Sequence, residues 1–391
     1  MLGKSCNFWR LRLLVAALGG GCVGEGSGVP PAPRGQTPRA GAVASPRLRD
    51  TDVAVRHGGG VYARGLRWLG RADLRDPAVS RFDWSGSGFE ARFSGTGLVA
   101  TLGSEEDGLG LRVEVDGASG PPLAVARGRG SYVLASALPP GEHTLRLTRE
   151  TEAQMGLTAL YDLHVQHGEL HEPPAAPPRL LEVVGDSVSA GYGNLCSDAD
   201  SPFSFATESS AGTYGVLAAR ALGADVSVLA ISGHGVFRNR DASSDALLPA
   251  VYARAVLAEP RPRWQPARSP DAVVITLGAN DLDAANDDPT LPMADAYLAF
   301  VEKLRAMHPQ ALIVCAANPM EQGEATSQAR LVGIVERVVG ARRAAGDPRV
   351  VPLVFPLLTR EELGCDHHPS AAAHRRMAEM LRELLHAKLG W

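Results

Sequence analysis

The chain predicts an α/β fold, a flavodoxin-like five-stranded parallel sheet, preceded by a separate β-sandwich domain. Three observations carry this. Apolar strand-like runs alternate with amphipathic helical stretches from residue 179 onward, short alternating strands separated by turn residues fill 51–170, and a proline-rich segment at 171–178 divides them. The 391 residues leave room for two cores, and 45% hydrophobic with 21% charged residues is ordinary for a soluble globular protein. A net charge of −4 with no dense basic stripe excludes nucleic acid or an anionic membrane surface as an electrostatic partner.

In chain order, Lys4, Arg10 and Arg12 flank the start of an apolar run at 13–18, followed by three glycines and Cys22. This is the pattern of an export signal over 1–22, and the run is too short to span a bilayer. Small residues ahead of Cys22 make it a lipidation candidate, so the expected location is outside the cell or at its envelope, with membrane contact only through that anchor. Residues 23–50, rich in Gly, Pro, Ala and Arg without periodicity, predict a flexible tether.

Within 51–170 the strand-like runs are 89–93, 98–102, 111–115, 132–134 and 143–147, with turn residues at 83–86, 94–97, 116–117 and 139–141. From 179 to 391, strands are expected at 180–184, 226–231, 272–277, 312–316 and 350–354. Helices are expected at 212–222, 241–257, 293–307, 324–345 and 370–389.

Four short blocks fall just beyond these strands, at the carboxyl edge where open α/β sheets bind ligands: Gly185-Asp186-Ser187, Ser232-Gly233, Gly278 to Asp281 and Asp366 to Pro369. A serine on a sharp strand-to-helix turn is exposed for attack but needs a base, and Ser187 with His368 supplies that pair. Asp366 stands two residues before His368; in an extended segment both side chains point the same way, which makes it the candidate orienting acid. The Gly233 N–H and the Asn280 amide are candidate oxyanion donors, leaving no electrophilic task for a metal or cofactor. Each block alone has a bland reading as a cap or an Asx turn. Their coincidence on one sheet edge decides for chemistry. His164, His167 and His171 read as a solvated segment and not as a metal cluster.

The order and residue types of these blocks resemble the SGNH, or GDSL-like, hydrolases. The segments 185–193, 231–235 with Arg238 and Asn239, 277–281 and 365–369 are more closely similar to the carbohydrate esterase family 2 acetyl esterases, and 81–93 is similar to their N-terminal jelly-roll domain. The resemblance implies a jelly-roll sandwich, then a serine esterase of 179–391 that acts through an acyl-enzyme. Its implied substrate is acetylated polysaccharide or oligosaccharide, from plant-wall polymers such as xylan or glucomannan. Broad SGNH enzymes carry Asp-x-x-His, whereas Pro369 here leaves only the shorter Asp366-x-His368 spacing, and some relatives hold the histidine with a main-chain carbonyl instead. Both arrangements remain open at this point.

Trp264 is a candidate for stacking on a sugar ring. Cys6 and Cys22 fall in the leader and Cys315 in an apolar run, so Cys196 and Cys365, both in loops at the site, form the disulfide candidate of an exported chain. The catalytic loops carry Asp198, Asp200, Glu208, His234, Arg238 and Asp241 instead of an apolar lid, which predicts acetyl over longer acyl groups. A monomer is expected. Two other readings share the motifs: a lipase or thioesterase for longer acyl chains, and a non-catalytic carbohydrate-binding surface protein.

Overall fold

The computed structural model describes residues 65–283 and 289–391. The export leader, Cys22, the tether and the first part of the 51–170 domain lie outside the described residues.

The N-terminal domain runs β1 (Leu66–Leu69), β2 (Ser80–Phe82), β3 (Gly88–Ser94), β4 (Gly97–Ser104), β5 (Leu109–Val115), β6 (Ala118–Ser119), β7 (Leu123–Val125), β8 (Gly128–Ala135), β9 (Glu142–Arg149), β10 (Thr158–Gln166) and β11 (Glu169–His171). One antiparallel sheet has the order β1-β3-β9-β5-β6, with β11 on β3 and β7 on β5; the other has the order β2-β10-β4-β8. Alternation explains the packing: along β5, Leu109, Leu111 and Val113 are buried while Gly110, Arg112 and Glu114 are not. Facing residues such as Phe82, Phe89, Phe93, Leu98 and Leu145 close the core between the sheets. His171 ends β11 and the chain is irregular from 172 to 178, where Pro173, Pro174, Pro177 and Pro178 offer no N–H to a ladder.

The second domain contains β12 (Arg179–Gly185), α1 (Ser187–Ala190), α2 (Tyr214–Ala221), β13 (Ala224–Ala230), α3 (Leu248–Val251), β14 (Ala272–Thr276), α4 (Ala279–Asp283), α5 (Thr290–Met307), β15 (Leu312–Ala317), α6 (Ala325–Ala344), β16 (Val350–Val354) and α7 (Ala371–Leu389). The strands are parallel in the order β13-β12-β14-β15-β16. The crossovers from β12 diverge, which opens a crevice at its carboxyl end. Central strands are apolar throughout because both faces are covered, as in β14 and β15, where every residue is buried. Tyr214 of α2 and Met377, Leu381 and Leu385 of α7 pack one face; Tyr297 and Phe300 of α5 and Ile334 and Val338 of α6 pack the other.

The helix expected over 241–257 is reduced to α3. Ala242 and Ala246 adopt left-handed φ values of 63° and 52°, and Asp241 accepts the Ser243 N–H at 3.0 Å. Short polar side chains here capture backbone groups that a helix would have used.

The two domains share a polar, buried boundary. Arg67 of β1 reaches both oxygens of Asp225, on the outermost strand β13, at 2.9 and 2.7 Å. The fully buried Trp84 donates its indole N–H to the Ala255 carbonyl at 3.1 Å. Arg71, also buried, pairs with Glu182 at 3.1 Å and lies 4.8 Å over the Tyr252 ring.

Candidate active site

Strand β12 ends in Gly185, where any Cβ would lie 2.0 Å from Ser189 Oγ, so only glycine permits the turn that follows. Asp186 caps α1: one carboxylate oxygen accepts the Val188 N–H at 3.1 Å and the other accepts the Asn318 amide at 2.9 Å. Burial pushes the Asp186 carboxyl up to about 7 against the pull of those two donors. Beneath the turn, Ser189 Oγ meets Tyr214 OH at 2.9 Å, and Tyr214 OH meets Thr276 Oγ1 at 2.6 Å. Ser187 is thereby held at the mouth of the crevice by a rigid support.

His368 Nε2 lies 2.9 Å from Ser187 Oγ. Its Nδ1 lies 2.8 Å from the main-chain oxygen of Asp366. A carbonyl only accepts, so the ring hydrogen sits on Nδ1 and Nε2 is free to take a proton. The expected carboxylate contact is not made: Asp366 Oδ2 instead accepts from Tyr192 OH at 2.9 Å and the Phe203 N–H at 3.3 Å. The reason is local. Asp366 and His367 have φ values of 48° and 60°, a left-handed turn in which the same-side rule for extended segments fails. Partial burial lowers the His368 pKa from its ordinary value, opposed by the Asp366 carbonyl and carboxylate.

This orientation yields a first expected result. Asp366→Asn keeps kcat within about tenfold of the parent, whereas asparagine in place of a triad aspartate costs about 10⁴. Asparagine tolerates the left-handed backbone, so steady-state kinetics on the folded variant checks the point.

Tyr192 stacks on Phe203 with centroids 3.9 Å apart and tilts over His368 at 4.4 Å. His367 turns away, its ring nitrogens 3.2 Å from Glu321 and 3.6 Å from Asp200.

The candidate oxyanion donors follow the neighbouring strands. Gly233 follows β13 with φ 78°, and a Cβ there would meet nothing within 4 Å, so its requirement is conformational. Asn280, in the first turn of α4, donates one amide hydrogen to the His234 carbonyl at 3.0 Å and retains a second. The next residue builds the loop: the Asp281 carboxylate accepts from the N–H groups of Val236, Phe237 and Arg238 at 3.1, 2.7 and 2.9 Å. Within the Gly-x-Asn-Asp block, Asn280 thus holds the His234 carbonyl while Asp281 shapes the strand-end loop carrying Gly233.

A disulfide joins Cys196 to Cys365 with Cα atoms 5.2 Å apart, fastening the loop beyond α1 to the turn that carries His368. Trp264 does not join the site. It lies before β14, half-buried with Arg71 6.0 Å from its ring, and Arg71 is engaged with Glu182 and the main chain of Tyr252 at the domain boundary. Glu208 and Arg238 also leave the expected polar rim: they are 2% and 8% exposed, Glu208 taking the Glu152 N–H and Arg238 the Asp281 carbonyl. Among the described residues no group of three or more His, Cys, Asp or Glu is placed to hold a metal ion.

Residues 68–174 match the family model "Carbohydrate esterase 2 N-terminal", and residues 183–385 match "GDSL-like Lipase/Acylhydrolase family". A family two carbohydrate esterase from Clostridium thermocellum, solved with cellohexaose, aligns with a TM-score of 0.80 at 32% identity, over 84% of this chain and 100% of that one. The chain belongs to carbohydrate esterase family 2. Among curated relatives, the cellulase/esterase CelE of Acetivibrio thermocellus is 32% identical over 329 residues, 84% of this chain and 40% of that protein. This chain therefore spans less than half of that relative. An acetylxylan esterase/glucomannan deacetylase of Cellvibrio japonicus is 29% identical over 343 residues, covering 83% of this chain and 91% of the relative.

Proposed function

We propose that this family 2 esterase is a serine hydrolase that removes acetyl groups from carbohydrate, with xylan or glucomannan as the polymer class. The observation that carries it is the 2.9 Å contact between Ser187 Oγ and His368 Nε2 at the carboxyl edge of the sheet. His368 Nε2 takes the Ser187 proton as Oγ attacks the acetyl carbonyl. The oxyanion is received by the Gly233 N–H and the free Asn280 amide hydrogen. The imidazolium, steadied through Nδ1 by the Asp366 carbonyl, protonates the departing sugar oxygen as its bond to the acyl carbon breaks, which releases the free sugar hydroxyl. Water, deprotonated by His368, then releases acetate from the acetyl-serine.

Several features support a carbohydrate acetate. The relatives' names point to it, and the Tyr192–Phe203 stack beside His368 offers an aromatic surface of the kind on which sugar rings pack. The signal-like residues 1–22 and the Cys196–Cys365 disulfide support an exported enzyme.

Acyl-chain profiling with aryl acetate, butyrate and octanoate, alongside acetylated xylan and glucomannan, tests the reading. Acetyl is expected to be strongly preferred and EDTA to leave the rate unchanged. Rates that climb with chain length would make the enzyme a lipase or thioesterase, and chelator-sensitive turnover would overturn the metal-free mechanism.

A further inference from the structure

The segment from the end of β9 toward β10 lies within the N-terminal domain but packs against the hydrolase domain. Arg149, Glu150, Thr151, Glu152 and Ala153 are all at most 5% exposed, a run containing three ionisable side chains. Burial of this kind is tolerated only when each charge is answered. Arg149 answers the loop's own backbone, donating to the carbonyls of Thr151 at 2.8 Å and Glu152 at 2.9 Å and to Thr158 Oγ1 at 2.7 Å. Glu150 accepts from Arg112 and from Ser209 Oγ, each at 2.6 Å.

Glu152 differs, because both of its oxygens cross the domain boundary to one residue. Oε2 accepts the Ser232 N–H at 2.7 Å and Oε1 accepts Ser232 Oγ–H at 2.6 Å. Ser232 immediately precedes Gly233. On its other side the Ser232 carbonyl is 3.1 Å from His234 Nδ1. Ser232 is thus held through its N–H and hydroxyl by Glu152 and through its carbonyl by His234, and that carbonyl shares a peptide plane with the Gly233 N–H, the proposed oxyanion donor. A carboxylate matches this task, since it presents two acceptors to the two donors of Ser232, whereas an amide would turn a donor toward one of them.

We propose that Glu152 is a positioning residue for the oxyanion hole, acting through Ser232 on the Gly233 N–H, so that the N-terminal domain completes the catalytic centre. The inference rests on the esterase reading above. The carboxylate never touches substrate; it holds the peptide so that its donor needs no reorganisation as charge develops.

The test uses the full chain, with an aryl acetate as substrate and Ser187→Ala as the background control. Glu152→Gln keeps the side-chain volume and loses at least one acceptor; it is expected to lower kcat roughly tenfold or more with KM within about twofold, as for loss of an interaction made only in the transition state. Ser232→Ala, which leaves the N–H bond in place, is expected to lower kcat about two- to fivefold. Combining Ser232→Ala with Glu152→Gln is expected to cost less than the product of the two effects, because the residues act as a unit. The acid limb of the pH profile, set by His368, should not move. If both single variants keep the parental kcat while melting at lower temperature, Glu152 merely cements the interface and the proposal is wrong. If the unmodified protein is no faster than Ser187→Ala, the esterase reading itself falls, a result separable from the first.

Discussion

Ser187→Ala is expected to reduce hydrolysis of an aryl acetate by roughly 10⁴–10⁶ in kcat, and His368→Ala to do nearly the same, because nucleophile and base operate as one unit. The double variant should be hardly worse than either single one. His367→Ala, by contrast, should keep parental turnover, since that ring faces Asp200 and Glu321 and not Ser187. The pH dependence follows from the same geometry. His368 must be neutral to accept a proton, and burial lowers its pKa. Activity should therefore persist below the ordinary histidine value of about 6.5 and fall only as pH drops through the lowered pKa of the free enzyme. A kcat/KM profile whose acid limb lies above that value would contradict the placement of His368.

Asn280→Ala is expected to lower kcat by about 10²–10³ with little change in KM. In the proposed oxyanion hole the amide's second hydrogen serves the transition state, while its first is spent on the His234 carbonyl at 3.0 Å. Truncation removes both, so part of the loss comes from a looser loop. Asn280→Asp separates the two contributions, as it keeps the shape, deletes the donor and adds a like charge near the oxyanion. A variant with normal kcat and a raised KM would place Asn280 in substrate binding instead.

Much of this was legible in the sequence for a physical reason. The parallel strands are buried on both faces and therefore read as continuous apolar runs, and the chemical residues sit just past their ends. What was not legible depends on backbone conformations that side-chain patterns do not report. Asp366 stands at the expected spacing, yet a left-handed φ of 48° exchanges its carboxylate for its carbonyl as the partner of His368. The stretch 241–257 carries helical periodicity, but Asp241, Ser243 and Asn239 divert its backbone into a loop. Glu152 was invisible for another reason: it lies in the other domain, 80 residues from Ser232. Only its setting in a run of charged residues, Arg149 to Glu152, with no surface helix to explain them, hinted at a buried role.

The ion pair from Arg67 to Asp225 has a consequence beyond holding two domains together. Strand β13 is the last strand on its side of the parallel sheet, and such an edge offers unpaired N–H and C=O groups to any passing strand. Here β1 bears on it through Arg67, while Trp84 lies buried at the same boundary. Without the sandwich, the β13 edge would face solvent, and Asp225 and the Ala255 carbonyl would lose the partners that Arg67 and Trp84 now give them.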